Sequence, residues 1–346
     1  MFINKKPFLI AEISANHCGS IDIAKKLILT AKKNNADAVK LQTFEADTIT
    51  FNSNKKYFKI KGTLWNGYNL WRLYDEAHTP KTWHKPLFDY AKKIKIKIFS
   101  TAYDDSAVDF LETLNCPAYK VASFEMTDVN LIEKIAKTKK PMIISTGMAT
   151  MDEISRSFRI AKKFGCKDIT LLYCVSKYPS SSEDFNMNII KLLKKRFKCR
   201  IGFSDHSKDN RVASAAISAG AEVVEKHIAL ENQKKGLDIE FSLKGSEIKK
   251  FKDDLVFAQD IFKIKKFSRS KDELKSKVFR RSLFAVKNIS IGEKFNRNNI
   301  KRIRPGHGIE PVYYKKLLGK KSPFKIDKGE PLKKNVLKKL KIKTQP

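Results

Sequence analysis

Two short apolar runs each deliver a histidine at the carboxyl end: Gly202-Phe203-Ser204-Asp205-His206-Ser207 and Val223-Val224-Glu225-Lys226-His227, with an amphipathic segment between them. Strand, helix and strand in that order aim two imidazoles at one place, where they could share a divalent cation and leave positions open for water. The same two rings could equally stack as core residues. A second set is harder to assign to a core. Lys40 and Lys120 lie in or beside apolar runs, where an ammonium is costly without an anion. Thr101, Ser123, Ser145 and Ser204 stand at the ends of comparable runs, and two ammonium groups with several short donors at one mouth suit phosphoryl oxygens. Glu12, Gln42, Glu125, Tyr178 and Glu225 add carboxylates and neutral polar groups at similar positions, and a carboxylate such as Glu12 could orient a water.

The elements that must hold these residues alternate. Strands are expected at 8–12, 36–41, 95–100, 118–122, 141–145, 169–174, 200–203 and 221–227. Segments with helical spacing follow at 21–34, 87–93, 105–114, 128–137, 151–164, 188–197, 211–219 and 245–262. Strict alternation with no forced switch point predicts a (β/α)8 TIM barrel, whose site forms at the carboxyl ends of the strands. The stretch 43–86 is too long for a plain connection and carries Trp65, Trp71 and Trp83, so it is expected to cross one face as a functional excursion. The alternation predicts a barrel domain at 1–265 and a charged linker at 266–278. A small, mainly β domain is expected at 279–340, with the lysine-rich tail after Lys333 frayed.

With 346 residues, 42% of them hydrophobic, the chain can build one large core and a smaller second one. No segment approaches the roughly 18 to 20 uninterrupted apolar residues of a membrane helix, and the start lacks a signal peptide's apolar stretch. A cytoplasmic location with no membrane partner is therefore expected. Cys18, Cys116, Cys166, Cys174 and Cys199 are odd in number and scattered, which suggests reduced thiols. The net charge of +34 would by itself argue for a nucleic-acid partner. Its lysines are spread along presumed solvent faces instead of clustering with aromatics, so no nucleic-acid partner is expected, and anionic small substrates gain some steering.

Six stretches in this order resemble the sialic acid synthase family of phosphoenolpyruvate-dependent nonulosonate synthases. They are Ala11-Glu12-Ile13-Ser14-Ala15-Asn16-His17, Ala38-Val39-Lys40-Leu41-Gln42-Thr43, Tyr119-Lys120-Val121-Ala122-Ser123-Phe124-Glu125, Ser145-Thr146-Gly147-Met148, Ser204-Asp205-His206 and Glu225-Lys226-His227. Arg302-Ile303-Arg304-Pro305-Gly306-His307-Gly308-Ile309 resembles the centre of that family's antifreeze-like (SAF) domain. Within the family, Ile60-Lys61-Gly62-Thr63-Leu64-Trp65-Asn66-Gly67 and Leu73-Tyr74-Asp75-Glu76-Ala77-His78-Thr79-Pro80 resemble the pseudaminic acid branch. Ser176, where the neuraminate branch usually has asparagine, agrees.

The resemblance implies condensation of phosphoenolpyruvate with an open-chain N-acetylated deoxy-amino aldose, 2,4-diacetamido-2,4,6-trideoxy-L-altrose, and loss of phosphate by C–O cleavage. Synthesis of N-acetylneuraminate from N-acetylmannosamine, or of legionaminate, is the alternative. By carry-over, Lys40, Thr101, Lys120, Ser123, Ser145 and Ser204 would hold phosphoenolpyruvate. His206 and His227 would ligate Mn2+, with Mg2+ or Co2+ as replacements. Glu12, Lys120, Tyr178 and Glu225 would be catalytic, while Gln42, Glu125, Tyr178, Asp238 and Arg304 would meet the sugar. Arg304 would do so in the other subunit of a homodimer swapped through the SAF domain; its plainer role would be to hold its own turn. Two departures from the usual pattern, Cys18 and Ala102-Tyr103, leave every proposed ligand in place, and Tyr103 could reshape the sugar pocket.

Overall fold

The computed structural model describes residues 1–2, 6–263 and 266–343. The chain divides into two compact units, Met1–Lys263 and Ile264–Pro346. The first is a closed parallel barrel of β1 (Phe8–Glu12), β2 (Ala38–Thr43), β3 (Lys97–Ala102), β4 (Tyr119–Val121), β5 (Met142–Ser145), β6 (Ile169–Cys174), β7 (Arg200–Asp205) and β8 (Val223–Ala229). Closure comes from β8 pairing with β1, in a register that sets Glu12 opposite His227. Both faces of these strands are covered, which is why they read as near-continuous apolar runs instead of alternating ones. Phe8, Leu9, Ile10 and Ala11 are all buried.

The barrel's outer layer follows from helical spacing. α1 (Ile21–Lys33) buries Ala24, Leu27, Ile28 and Ala31, a stripe at i, i+3, i+4 and i+7, and the Ser20 hydroxyl caps it by accepting from the Ile23 N–H. The excursion after β2 contains two short helices, α2 (Ala46–Ile49) and α3 (Leu70–Ala77). α4 (Lys81–Lys93) begins ahead of the expected 87 and carries Pro86 inside it. The proline removes one backbone bond, and the burial of His84, Leu87 and Ala91 outweighs that loss. Next come α5 (Asp105–Thr113), α6 (Val129–Lys137), α7 (Met151–Lys163), α8 (Asn188–Phe197) and α9 (Arg211–Ser218). A two-residue strand, β9 (Leu243–Lys244), pairs in parallel with the end of β8 before α10 (Glu247–Ile261).

At the bottom of the barrel one turn recurs. After α1, α4 and α5, Asn35, Lys95 and Asn115 adopt positive φ. The N–H of the following residue then donates five residues back, as Ala36 does to the Ala31 carbonyl at 3.0 Å and Ile96 to Ala91 at 3.0 Å. Gly165 and Gly220 make the same turn after α7 and α9.

The second unit has α11 (Lys271–Lys275), then β10 (Ser282–Ala285) antiparallel to β11 (Ile300–Ile303). Its separate core includes Leu283, Ile289, Phe295, Ile300, Leu317 and Leu332. Two short helices belong to it, α12 (Tyr314–Leu317) and α13 (Lys334–Lys339). The tail expected to fray is therefore helical through Lys339, because Val336 and Leu337 sit in this core while Lys334, Lys338 and Lys339 stay exposed. Among the described residues no helix is long and apolar enough to cross a membrane.

Gly202 in β7 shows how tightly the barrel is closed. A Cβ there would lie 2.5 Å from the Val223 carbonyl oxygen on β8 and 2.5 Å from Leu172 Cδ2. Gly202→Ala must push β7 from β8 and should cost about 1–3 kcal/mol of unfolding free energy in a denaturant titration.

Candidate active site

At the carboxyl ends of the strands, successive side chains point alternately into the barrel mouth and out to the helices. Glu12, Lys40, Gln42, Lys120, Ser145, Ser204, His206, Glu225 and His227 point inward and line one cavity of about 380 Å³. Ser123, Glu125, Tyr178 and Asp238 reach it from the loops beyond the strands. β2, β3 and β7 run past their expected ends, so Gln42, Thr101 and Ser204 are held by strand pairing instead of by loops, as Glu225 and His227 are within β8.

The floor is a buried set of charges. Lys40 is paired with Glu12 and donates to the Thr101 hydroxyl at 2.8 Å. Thr101 thus stands behind Lys40 and orients it, and is not part of the cavity lining. Lys120 donates to both oxygens of Glu225, at 2.8 and 3.0 Å, and Ser204 donates to the same carboxylate at 3.1 Å. Lys40 lies 3.9 Å from Glu225. Burial raises the proton affinity of Glu225, but Lys120 and Lys40 outweigh it and hold this carboxyl below its ordinary value. At Glu12 burial wins over Lys40 and the pKa is raised. Burial lowers the pKa of Lys120 despite Glu225. The two carboxyl groups thereby differ: Glu225 stays ionised, and Glu12 is the one disposed to take up a proton.

Beside the lysines is a cradle of small donors. The Gly147 N–H donates to Ser123 Oγ at 3.1 Å, and a Cβ on Gly147 would fall 2.2 Å from Ser176 Oγ. Only glycine leaves room there. Ser145 and Ser176 have buried hydroxyls without a protein partner, a state that a bound oxyanion would relieve.

His206 donates from Nδ1 to the Val175 carbonyl at 2.9 Å, taking that tautomer, so Nε2 keeps its lone pair. Burial and the neighbouring His227 hold the His206 pKa down to about 3, so the ring is neutral. The two imidazoles are edge to face with centroids 5.7 Å apart, and His227 Nδ1 is buried without a hydrogen bond, 3.5 Å from Asp238. A neutral His206 with Nε2 free, beside a His227 whose Nδ1 has no partner, is a fit pair of ligands for a divalent ion. Among the described residues no group of three or more His, Cys, Asp and Glu side chains is arranged to hold one, so the chain would supply only part of the coordination.

Outside the barrel wall, the residues just before the histidines form a staple. Lys226, 1% exposed, donates to Asp205 Oδ2 at 3.0 Å and to the Ser207 carbonyl, while Asp205 Oδ1 accepts from the Ser207 N–H and hydroxyl at 2.8 and 2.7 Å. This buried pair ties the end of β7 to β8 where both imidazoles project inward.

The excursion forms the cavity's roof with Ile49, Ile60, Trp65, Leu70, Leu73 and Tyr74. Trp65 Nε1 donates to the Leu237 carbonyl at 3.2 Å, and its ring lies 5.5 Å from that of Tyr178. Trp71 Nε1 donates to Asp47 at 2.7 Å. Tyr178 also packs 4.4 Å from His206. Ser14, Tyr74 and Tyr103 line the cavity without having been singled out as ligands. Ser14 accepts from Gln42 Nε2 at 2.9 Å, and an aromatic residue directly after a strand was the available signal for Tyr103. Arg304 lies in the second unit, where it is exposed.

Residues 27–265 match the NeuB family and residues 280–338 the SAF domain. The chain is 42% identical to a pseudaminic acid synthase of Campylobacter jejuni, over 95% of this chain and 96% of that one. It is 39% identical to a pseudaminic acid synthase of Helicobacter pylori, over 94% and 96% of the two chains. The solved structure of a spore coat polysaccharide biosynthesis protein from Bacillus subtilis superposes with a TM-score of 0.65 at 28% identity, covering 99% of this chain and 97% of the other.

Lys226→Met leaves Asp205 buried without its counter-charge and should cost about 3–5 kcal/mol in a denaturant titration. Asp205→Asn combined with Lys226→Met should recover most of that. A single variant as stable as the parent would show that the staple contributes nothing.

Proposed function

The chain belongs to the NeuB family, and from that premise we propose that it acts as a pseudaminic acid synthase. It joins phosphoenolpyruvate to 2,4-diacetamido-2,4,6-trideoxy-L-altrose and releases phosphate by C–O cleavage. The observation that carries the choice of this sugar over N-acetylmannosamine is the contrast between the cavity's two walls. The floor is built from Lys40, Lys120, Glu12 and Glu225, and the roof from Ile49, Ile60, Leu70 and Leu73. An aliphatic roof suits a methyl at the sugar's end and the methyls of two acetyl groups. N-acetylmannosamine would set a hydroxymethyl and a hydroxyl against it, and burying those unpaired is unfavourable.

Phosphoenolpyruvate would take Lys40 and Lys120 for its charged oxygens, with Ser123, Ser145 and Ser204 as neutral donors. Its anionic groups then share the ammonium groups with Glu12 and Glu225. Carbon 3 of the enolpyruvate attacks the aldehyde carbon, and the new alkoxide takes a proton. Water adds to carbon 2, giving its proton to Glu12, whose raised pKa suits a proton acceptor. Cleavage of the carbon 2–oxygen bond expels inorganic phosphate. Phosphoenolpyruvate, aldose and one water are thereby consumed, and a nonulosonate and phosphate are formed. Gln42, Glu125, Tyr178 and Asp238 would position the sugar.

His206 and His227 would hold a divalent ion, Mn2+ with Mg2+ or Co2+ as replacements, which when bound supplies Lewis-acid polarisation of oxygen. The protein would work in the cytoplasm as a homodimer swapped through its SAF domain, with Arg304 meeting the sugar's amide in the partner's site. Synthesis of N-acetylneuraminate or legionaminate is the alternative, sharing the same floor.

Phosphate release is expected with phosphoenolpyruvate, Mn2+ and the altrose derivative. Release with N-acetylmannosamine or the legionaminate precursor, and not with the altrose derivative, would replace this choice. Lys120→Ala should raise the KM for phosphoenolpyruvate by about a hundredfold, as expected when one partner of a buried charged pair is lost. A chelator should stop turnover of the parent protein, with activity restored by Mn2+. His206→Ala should lose both activity and tight Mn2+ binding in calorimetry.

A further inference from the structure

Three hydrogen-bonding groups in the cavity wall find no partner among the described residues: the phenolic oxygens of Tyr74 and Tyr103 and the buried Oε2 of Glu125. They come from different elements. Tyr74 is on the roof helix α3, Tyr103 directly follows β3, and Glu125 lies in the turn beyond β4. Phe44 joins the first two. Its ring, 2% exposed, meets Tyr103 edge to face at 5.0 Å and Tyr74 edge to face at 5.9 Å. One buried wedge therefore fixes both phenols, and it stands immediately after β2, on the barrel itself.

The Glu125 oxygen is buried and unpaired, and a ligand that displaces water from the cavity must pair the two phenols as well. The chemistry of the three groups narrows what that ligand is. Burial and the Glu125 charge raise the pKa of both tyrosines, so both remain protonated donors across working pH. Burial pushes the Glu125 carboxyl up to about 7, so its free oxygen serves as an acceptor or a donor. Two fixed donors beside an acceptor match an acylamino group, which offers a carbonyl oxygen and an N–H a short distance apart. A lone hydroxyl would have to meet all three groups from a single atom, whereas an acylamino group spreads them over two atoms a short distance apart.

We infer that Tyr74, Tyr103 and Glu125 form a subsite for an acylamino group on the aldose, with the phenols donating to its carbonyl and Glu125 accepting its N–H. The assignment rests on the synthase reading and goes beyond it by naming the residues that select the substituent. It makes Tyr103 a specificity-determining residue of this site. It also divides the recognition between the barrel, through Tyr103 and Glu125, and the roof, through Tyr74.

The test is a comparison of steady-state constants for the parent protein, Tyr103→Phe and Tyr74→Phe. Each is assayed with the diacetamido aldose and with an analogue carrying hydroxyl in place of the acylamino group distal to the aldehyde. Each phenylalanine variant should raise the KM for the diacetamido aldose about tenfold, the worth of one hydrogen bond. The KM for phosphoenolpyruvate should stay within about twofold, which also shows that the floor is intact. With the analogue, the parent and the variants should converge. Variants that keep the parent's KM for the diacetamido aldose, or lose as much with the analogue, would overturn the subsite while leaving the synthase reading standing. A parent protein that turns over no diacetamido aldose would overturn both.

Discussion

Everything at the mouth of this barrel depends on four charges that cannot be solvated. Lys40, Lys120, Glu12 and Glu225 are each at most 4% exposed, and an isolated ion in such a place would cost several kcal/mol even after relaxation. They persist because β1, β2, β4 and β8 deliver them in complementary pairs. The pairing has two consequences for chemistry. It keeps the lysines charged and aimed before any anion arrives, which lowers the cost of ordering them on binding. It also splits the carboxyl groups, since Glu225 sits between two ammonium groups whereas Glu12 has only one close partner and is more affected by burial.

Around that cluster the wall works on both of its faces. Inward, His206 and His227 are offered to the cavity; outward, Asp205 and Lys226 bind their strands together from between the barrel and its helices. The strand alternation makes this division unavoidable, because the residues next to inward-facing ligands must face the helical layer. Filling those positions with a salt bridge instead of with Val or Ile gives up some packing. In return the two strands gain a directional tie that a slipped register would break.

Much of this was legible in the sequence, for identifiable reasons. A lysine inside an apolar run needs an anion, so Lys40 and Lys120 pointed to the site before any geometry was known. Apolar runs covered on both faces gave the strands, and the i, i+3, i+4 spacing gave the helices. What escaped were matters of direction and partnership. Thr101 is of the right type and at the right end of its strand, yet it supports Lys40 from behind. Ser204, Asp205 and His206 look like loop residues because they are polar, and strand pairing nevertheless continues to Asp205. Pro86 looks like a helix boundary, yet burial carries α4 through it. Val336 and Leu337 were too few to stand out in a lysine-rich tail. Tyr103 was legible as a residue that could reshape the sugar pocket and Tyr74 only as part of a branch-like stretch, because nothing in a one-dimensional pattern shows that a phenolic oxygen lacks a partner.

The roof also has a simple genealogy. Its aliphatic wall comes from a single connection, the stretch between β2 and α4, whereas the charged floor is spread over strands all round the barrel. The two parts are therefore separable units of inheritance. Insertion, deletion or exchange within one loop alters which sugar fits, while the enolpyruvate chemistry is shielded from the same change by being written into several separate strands at once. A lineage built this way can diversify its products through one short segment of gene and keep its reaction unchanged.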